Sequence, residues 1–180
     1  MRLKILGFVF VCLLLFVSSG LKLSHAKAEA ANQEDTEITE QKIKQKNTMK
    51  DIATITSGIA DYVTDFGVPP KQDGIYDENS EFYNALYLYY LKVVPVKDEW
   101  GNNIRVYCGE ACNGIYKGIS GCTSDDVVVV SYGRDGKKED WKFGRKNPAA
   151  GLYLPETLDD FDKDLVMWNG SFIRAPDPRR

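Results

Sequence analysis

Residues 48–70, TMKDIATITSGIADYVTDFGVPP, decide the fold class of this chain. Met49, Ile52, Ile55, Ile59, Tyr62, Val63 and Phe66 recur three and four residues apart, which puts them on one face of a helix. Thr48 or Asn47 is placed to cap its start, and Asp51 adds negative charge in the first turn, where the helix dipole favours it. Gly67 and Pro69-Pro70 stop it. A helix with one apolar face and a polar back must lie on something.

What it lies on is written further along. Residues 71–80 are rich in Asp, Gly and Asn and predict a loop. Residues 81–91, EFYNALYLYYL, predict a second, shorter helix whose rings cap a core and leave their hydroxyls at its edge. Residues 103–107 (NIRVY) alternate and residues 126–132 (DVVVVSY) are strongly β-branched, so both predict strands. A third strand is expected at 164–168, with 171–174 extending it. The expectation is an α+β domain over residues 48–174, with the amphipathic helix packed on a small antiparallel sheet, and a tail at 175–180.

Charge and composition narrow the function. The chain has 23 basic and 26 acidic residues. Arg2, Lys4, Lys22 and Lys27 lie in the first 28 residues, which hold no acid, so residues 29–180 keep 19 basic and 26 acidic residues, a net charge of −7. That balance argues against a nucleic-acid partner, whose phosphates need clustered cations, and suits a bound cation better. The single histidine is His25. Residues beyond it therefore offer no Ser–His or Cys–His nucleophile and no His-ligated zinc. Only a carboxylate pair remains for catalysis, and a non-enzymatic role is expected.

Residues 1–28 have the form of an export signal. Arg2 and Lys4 precede an apolar run from Ile5 to Val17, Ser18-Ser19-Gly20 breaks it, and Ala26-Lys27-Ala28 has the small-x-small pattern that signal peptidase accepts. A retained inner-membrane anchor is the competing expectation, since the stretch reaches the lower length limit for a span. Residues 29–47 are charged and predict a solvated linker, helical near its end. Localisation is thus expected to be periplasmic or secreted, or anchored at the inner membrane.

Cys108, Cys112 and Cys122 lie in the insertion that joins the first two predicted strands. In an exported protein they predict a disulfide. Cys108–Cys122 is the expected pair, clamping the base of the hairpin, and Cys112–Cys122 is the alternative that staples the loop. Either leaves one thiol over, which points to a homo-oligomer linked through it.

Four stretches, in chain order, resemble the major pseudopilins of type II secretion. They are Ala60-Asp61-Tyr62-Val63-Thr64-Asp65-Phe66-Gly67-Val68-Pro69 at the helix end, Pro95-Val96-Lys97-Asp98-Glu99-Trp100-Gly101-Asn102, Ser131-Tyr132-Gly133-Arg134-Asp135-Gly136, and Asp164-Leu165-Val166-Met167-Trp168. The resemblance implies a pilin-like fold, with Trp100 and Trp168 folded back on the helix, and other pseudopilins or envelope proteins as partners. Gly7-Phe8 resembles the junction cleaved by prepilin peptidase, but Cys12 stands where the family has the glutamate used in fibre assembly. An accessory relative outside the fibre is therefore expected ahead of a fibre subunit. The alternative is a small exported binding module that uses the tyrosine-rich helix and the 108–125 loop.

The resemblance also implies a calcium ion held by Asp135, Asp162 and Asp164, with Asp159 and Asp160 beside them. Calcium requires six to eight hard oxygens gathered by a tightly bent loop. The spacing Asp160-x-Asp162-x-Asp164 is not an EF-hand, because Leu165 and Ser171 replace the glycine and glutamate that loop needs. The intervening residues 136–158 carry Lys137, Lys138, Lys142, Arg145 and Lys146, cations that compete for the same acids.

Overall fold

The computed structural model describes the backbone of residues 3–177 and the side chains of residues 33–177. The chain divides into two compact units, Met1–Glu40 and Gln41–Arg180. Helix α1 is assigned over Leu3–Phe66 and so contributes to both. The export signal or anchor expected over residues 1–28 depends on side chains outside the described residues. Among the described residues no helix is long and apolar enough to cross a membrane.

The second unit begins ahead of the expected boundary at 48, for a reason invisible to hydropathy. Gln41, Gln45 and Thr48 are buried and share one face of α1, yet all three are polar. Each is matched. The Trp100 indole donates to Gln41 Oε1 at 2.7 Å, Gln45 Nε2 donates to the Tyr153 hydroxyl at 3.0 Å, and the Glu99 amide donates to Thr48 Oγ1 at 3.2 Å. Burying such groups is tolerable only with those partners. Gln41 and Gln45 are therefore packed on one face of a helix that leaves Lys42, Ile43 and Lys46 exposed, within the linker expected to be solvated and helical near its end, and Thr48 is mid-helix and no cap.

A six-stranded sheet faces α1. Its strands are β1 (Asp73–Ile75), β2 (Arg105–Cys108), β3 (Val127–Ser131), β4 (Leu152–Tyr153), β5 (Leu165–Trp168) and β6 (Ser171–Pro176). Their order is β1-β2-β3-β5-β6-β4, antiparallel except for the β4–β6 pair. The α+β expectation holds at this level: one helix packs on a mostly antiparallel sheet. Ile52, Ile55 and Ile59 meet Val106, Val127, Val129, Leu165 and Met167 on the inner face. Val128, Val130 and Val166 point to the other face, where Cys112, Tyr116, Ile119 and Phe143 cover them. Both faces of β3 are thus closed, which is why its run of four valines shows no alternation with polar residues.

Three expectations are corrected. The second helix, α2, spans only Glu81–Leu86, capped by the Ser80 hydroxyl. Beyond it Leu88 is left-handed at φ 70° and the Leu91 amide returns to the Leu86 carbonyl, so the chain turns where the helix was expected to run on to 91. Residues 171–176 are a separate strand and not an extension of β5. Asn169 and Gly170, at φ 47° and 79°, form the two-residue turn whose double positive φ matches strand twist. Trp168 faces away from the helix, because alternation along β5 gives Leu165 and Met167 to the inner face. Its indole donates to Asp126 at 2.9 Å. Trp100 does pack on the helix side.

Candidate functional site

The two central motifs of the sequence meet in space. Asp98 Oδ1 accepts the amides of Trp100 (3.0 Å) and Asn102 (2.8 Å), closing a turn, while its Oδ2 accepts the Ser131 hydroxyl at 2.7 Å. Asn102 Nδ2 reaches across to the Gly133 carbonyl at 2.8 Å. At Gly133, φ is 65° and an added Cβ would lie 2.7 Å from the Phe161 and Lys163 carbonyl oxygens. Only glycine lets residues 133–134 lie this close to the segment that carries Asp162 and Asp164.

The three predicted calcium ligands do not converge. Asp135 accepts the Lys137 amide at 2.9 Å and has the Lys137 ammonium 3.9 Å away. Asp162 gives both oxygens to Arg134, at 2.8 Å to Nε and 3.1 Å to Nη2. Asp164 is fully buried, with Oδ2 accepting the Tyr116 hydroxyl and the Glu139 amide (3.0 Å), and Oδ1 lacks a partner. Asp160 is used in a capping box with Thr157 and pairs with Lys163. Among the described residues no three acidic, thiol or imidazole groups are gathered to hold a metal. The orphaned Asp164 oxygen is one candidate ligand atom in a closed core, against the six to eight oxygens that calcium takes.

The electrostatics follow from burial. Asp164 is pushed up to about 6 by desolvation, against the hydrogen bonds that favour its charge. Beside it the Tyr116 hydroxyl is also raised, first by burial and then by the Asp164 charge. Arg174 forms a forked pair with Glu139 (Nε–Oε2 2.9 Å) and lies over the Tyr153 and Trp141 rings. In this Tyr–Asp–Glu–Arg group Tyr116, Asp164 and Arg174 are buried, and the Glu139 side chain is 29% exposed.

The inward side of the 108–125 loop packs on the sheet. Tyr116 and Ile119 are buried under the outer face of the sheet, and the Phe143 amide donates to the Lys117 carbonyl at 2.8 Å to tie the loop down. Cys112 and Cys122 sit there too, whereas Cys108 lies on the helix side. The structure therefore does not bring Cys108 and Cys122, the expected pair, together on one face, and all three are free thiols. A pocket of about 270 Å³ between α1 and the β5–β6 turn is lined by Thr56, Ile59, Ala60, Val63, Asp125 and Asn169 among others.

Several large hydrophobic side chains remain outward. Leu88, Tyr89 and Val93 are 70%, 90% and 71% exposed, and Phe66 at the end of α1 is 61% exposed. Tyr62 links the two, stacking on Phe66 at 4.4 Å and meeting Tyr90 edge-on at 5.6 Å, while the Tyr90 hydroxyl donates to Asp65 at 2.7 Å. The tyrosines of residues 81–91 were expected to cap the core; Tyr83 and Tyr90 pack against it beside the buried Phe82 and Leu86, and Tyr89 does not. A broken helix is what turns these side chains outward, and the sequence signal for the break is weak because no Gly or Pro marks it. No protein-family model, curated protein or solved structure matches this chain.

Proposed function

We propose that this chain is a non-enzymatic, exported protein of pilin-like build that works through protein–protein contacts in the cell envelope. The observation that supports it most is the exposed edge formed by Phe66, Leu88, Tyr89 and Val93. Aromatic and aliphatic side chains that leave the core and gather at one edge of a domain are the usual currency of protein recognition. Some charged groups of the unit, by contrast, pair within it, as Arg134 does with Asp162 and Arg174 with Glu139. The four motif stretches add the partner class: other pseudopilins or envelope proteins of a secretion machinery. Arg134, bound bidentately to Asp162, supplies the positive charge in the loop where the resembled family holds calcium.

A photo-crosslinking residue at Tyr89, in the native cell envelope, tests this. Adducts with a secretion pseudopilin or envelope protein are expected at Tyr89 and not at Lys146, another exposed position. Equal adducts at both positions, or none at Tyr89, would remove the proposal. The mature N-terminus separates its forms: a start at Glu29 marks a soluble protein, Phe8 a fibre subunit and Met1 a retained anchor. A small exported binding module is the second reading: the 108–125 loop packs Cys112, Tyr116, Ile119 and Cys122 inward and leaves Asn113, Lys117 and Ser124 exposed.

A further inference from the structure

We propose that Cys112 and Cys122 are the cysteines that form a disulfide, and that Cys108 stays unpaired. The sheet itself makes the choice. Side chains alternate along β2, so Val106 and Cys108 belong to the helix face while Tyr107 belongs to the other. Cys108 accordingly borders surface hollows next to Val68, Pro69, Lys71 and Asp73. Cys112 and Cys122 lie across the sheet, packed with Val128 and Val130. A Cys108 bridge to Cys122 would have to pass through the β2–β3 ladder.

The two outer-face thiols lie close enough for each to shift the other's titration. Asn113 fixes their separation, because its Oδ1 accepts the Cys122 amide at 2.9 Å and its Nδ2 donates to the Cys122 carbonyl at 3.4 Å. Cys112 Sγ also donates to the Tyr107 carbonyl at 3.1 Å, which turns it under the strand. Formation of the bond removes one proton and one electron from each thiol. A disulfide oxidant such as glutathione disulfide accepts both and leaves as two thiols, so the exchange balances. Burial pushes the Cys112 thiol up to about 12, so little thiolate exists in the closed fold near neutral pH. The bond therefore forms while the loop is still open, during folding.

The test is a disulfide map of the full chain refolded from denaturant in a glutathione redox buffer, then alkylated while unfolded. Cleavage after Lys and Arg together with cleavage after Glu separates Cys108, Cys112 and Cys122 from one another and from Cys12, because Glu110 lies between Cys108 and Cys112 and Lys117 between Cys112 and Cys122. Residues 111–117 are expected linked to 118–134, with Cys108 in 106–110 carrying the alkyl group. The oxidised protein is expected to melt about 10 °C above the reduced one, and Cys108→Ser to keep both the link and the shift. A link that involves 106–110, or alkylation of all three cysteines, overturns the proposal. Refolding needs no export, so this outcome is independent of the function proposed above.

Discussion

Asp164 is held by Tyr116 and Glu139 on one oxygen and by nothing on the other. Its unfolded carboxyl ionises near 3.8 and its folded one at about 6, so between those values the fold keeps a proton that the unfolded chain has lost. Stability contributed by this group is therefore greatest in acid and is lost as pH rises through the window, by on the order of 2–3 kcal/mol. Asp164→Asn cannot titrate. Urea unfolding of both proteins from pH 4 to pH 7 should show wild type losing stability relative to the variant by that amount, and a constant difference would refute the assignment. Arg134 is the second residue with a clear expectation. Arg134→Ala strands Asp162, and because both groups are partly exposed the loss should be only about 1 kcal/mol in chemical denaturation. Calcium or a chelator should move the wild-type melting temperature by no more than about 1 °C. The acids were legible as a cluster from their spacing alone. Which cation answers which acid was not, since Arg134 reaches Asp162 across 28 residues.

At the scale of elements, α1 succeeds as a packing surface through small and polar residues as much as through its isoleucines. Gly58 lies where a Cβ would come 2.7 Å from Leu91, so the turn after α2 rests directly on the helix backbone. Gly58→Leu improves intrinsic helix propensity yet should destabilise by about 1–3 kcal/mol, because the turn must lift off. Thermal unfolding checks this, and an unchanged or raised melting temperature would show that the contact is loose. The β5–β6 turn gives a second case. Asn169 takes a positive φ, accepts the Val127 amide at 2.8 Å and donates to Asp126 at 2.9 Å. Asn169→Ala should cost about 1–2 kcal/mol by the same measurement, from backbone strain plus two lost bonds. The Asn-Gly pair was a legible hairpin signal in the sequence. The strand pair at β4–β6 was not, for a two-residue strand has no periodicity to detect.

At the scale of the whole second unit, the sheet is closed on both faces, and the exposed aromatic edge contributes nothing to that closure. Tyr89→Ser should therefore leave stability within about 0.5 kcal/mol while abolishing envelope crosslinks from a probe at Leu88. A large stability loss would mean that Tyr89 is packed, and the edge would cease to be an interface. The sequence by itself determined the amphipathic helix, strands β2, β3 and β5 and hence the α+β class, because those elements carry local periodicity. It also excluded histidine chemistry over residues 26–180. Tertiary structure alone decided that Gln41, Gln45 and Thr48 are interior, that Cys112 and not Cys108 shares a face with Cys122, and that the acids of residues 135–164 are answered by Arg134, Lys163 and Tyr116. Each of those outcomes depends on which groups lie opposite one another across the sheet, and a pairing of that kind leaves no pattern along the chain.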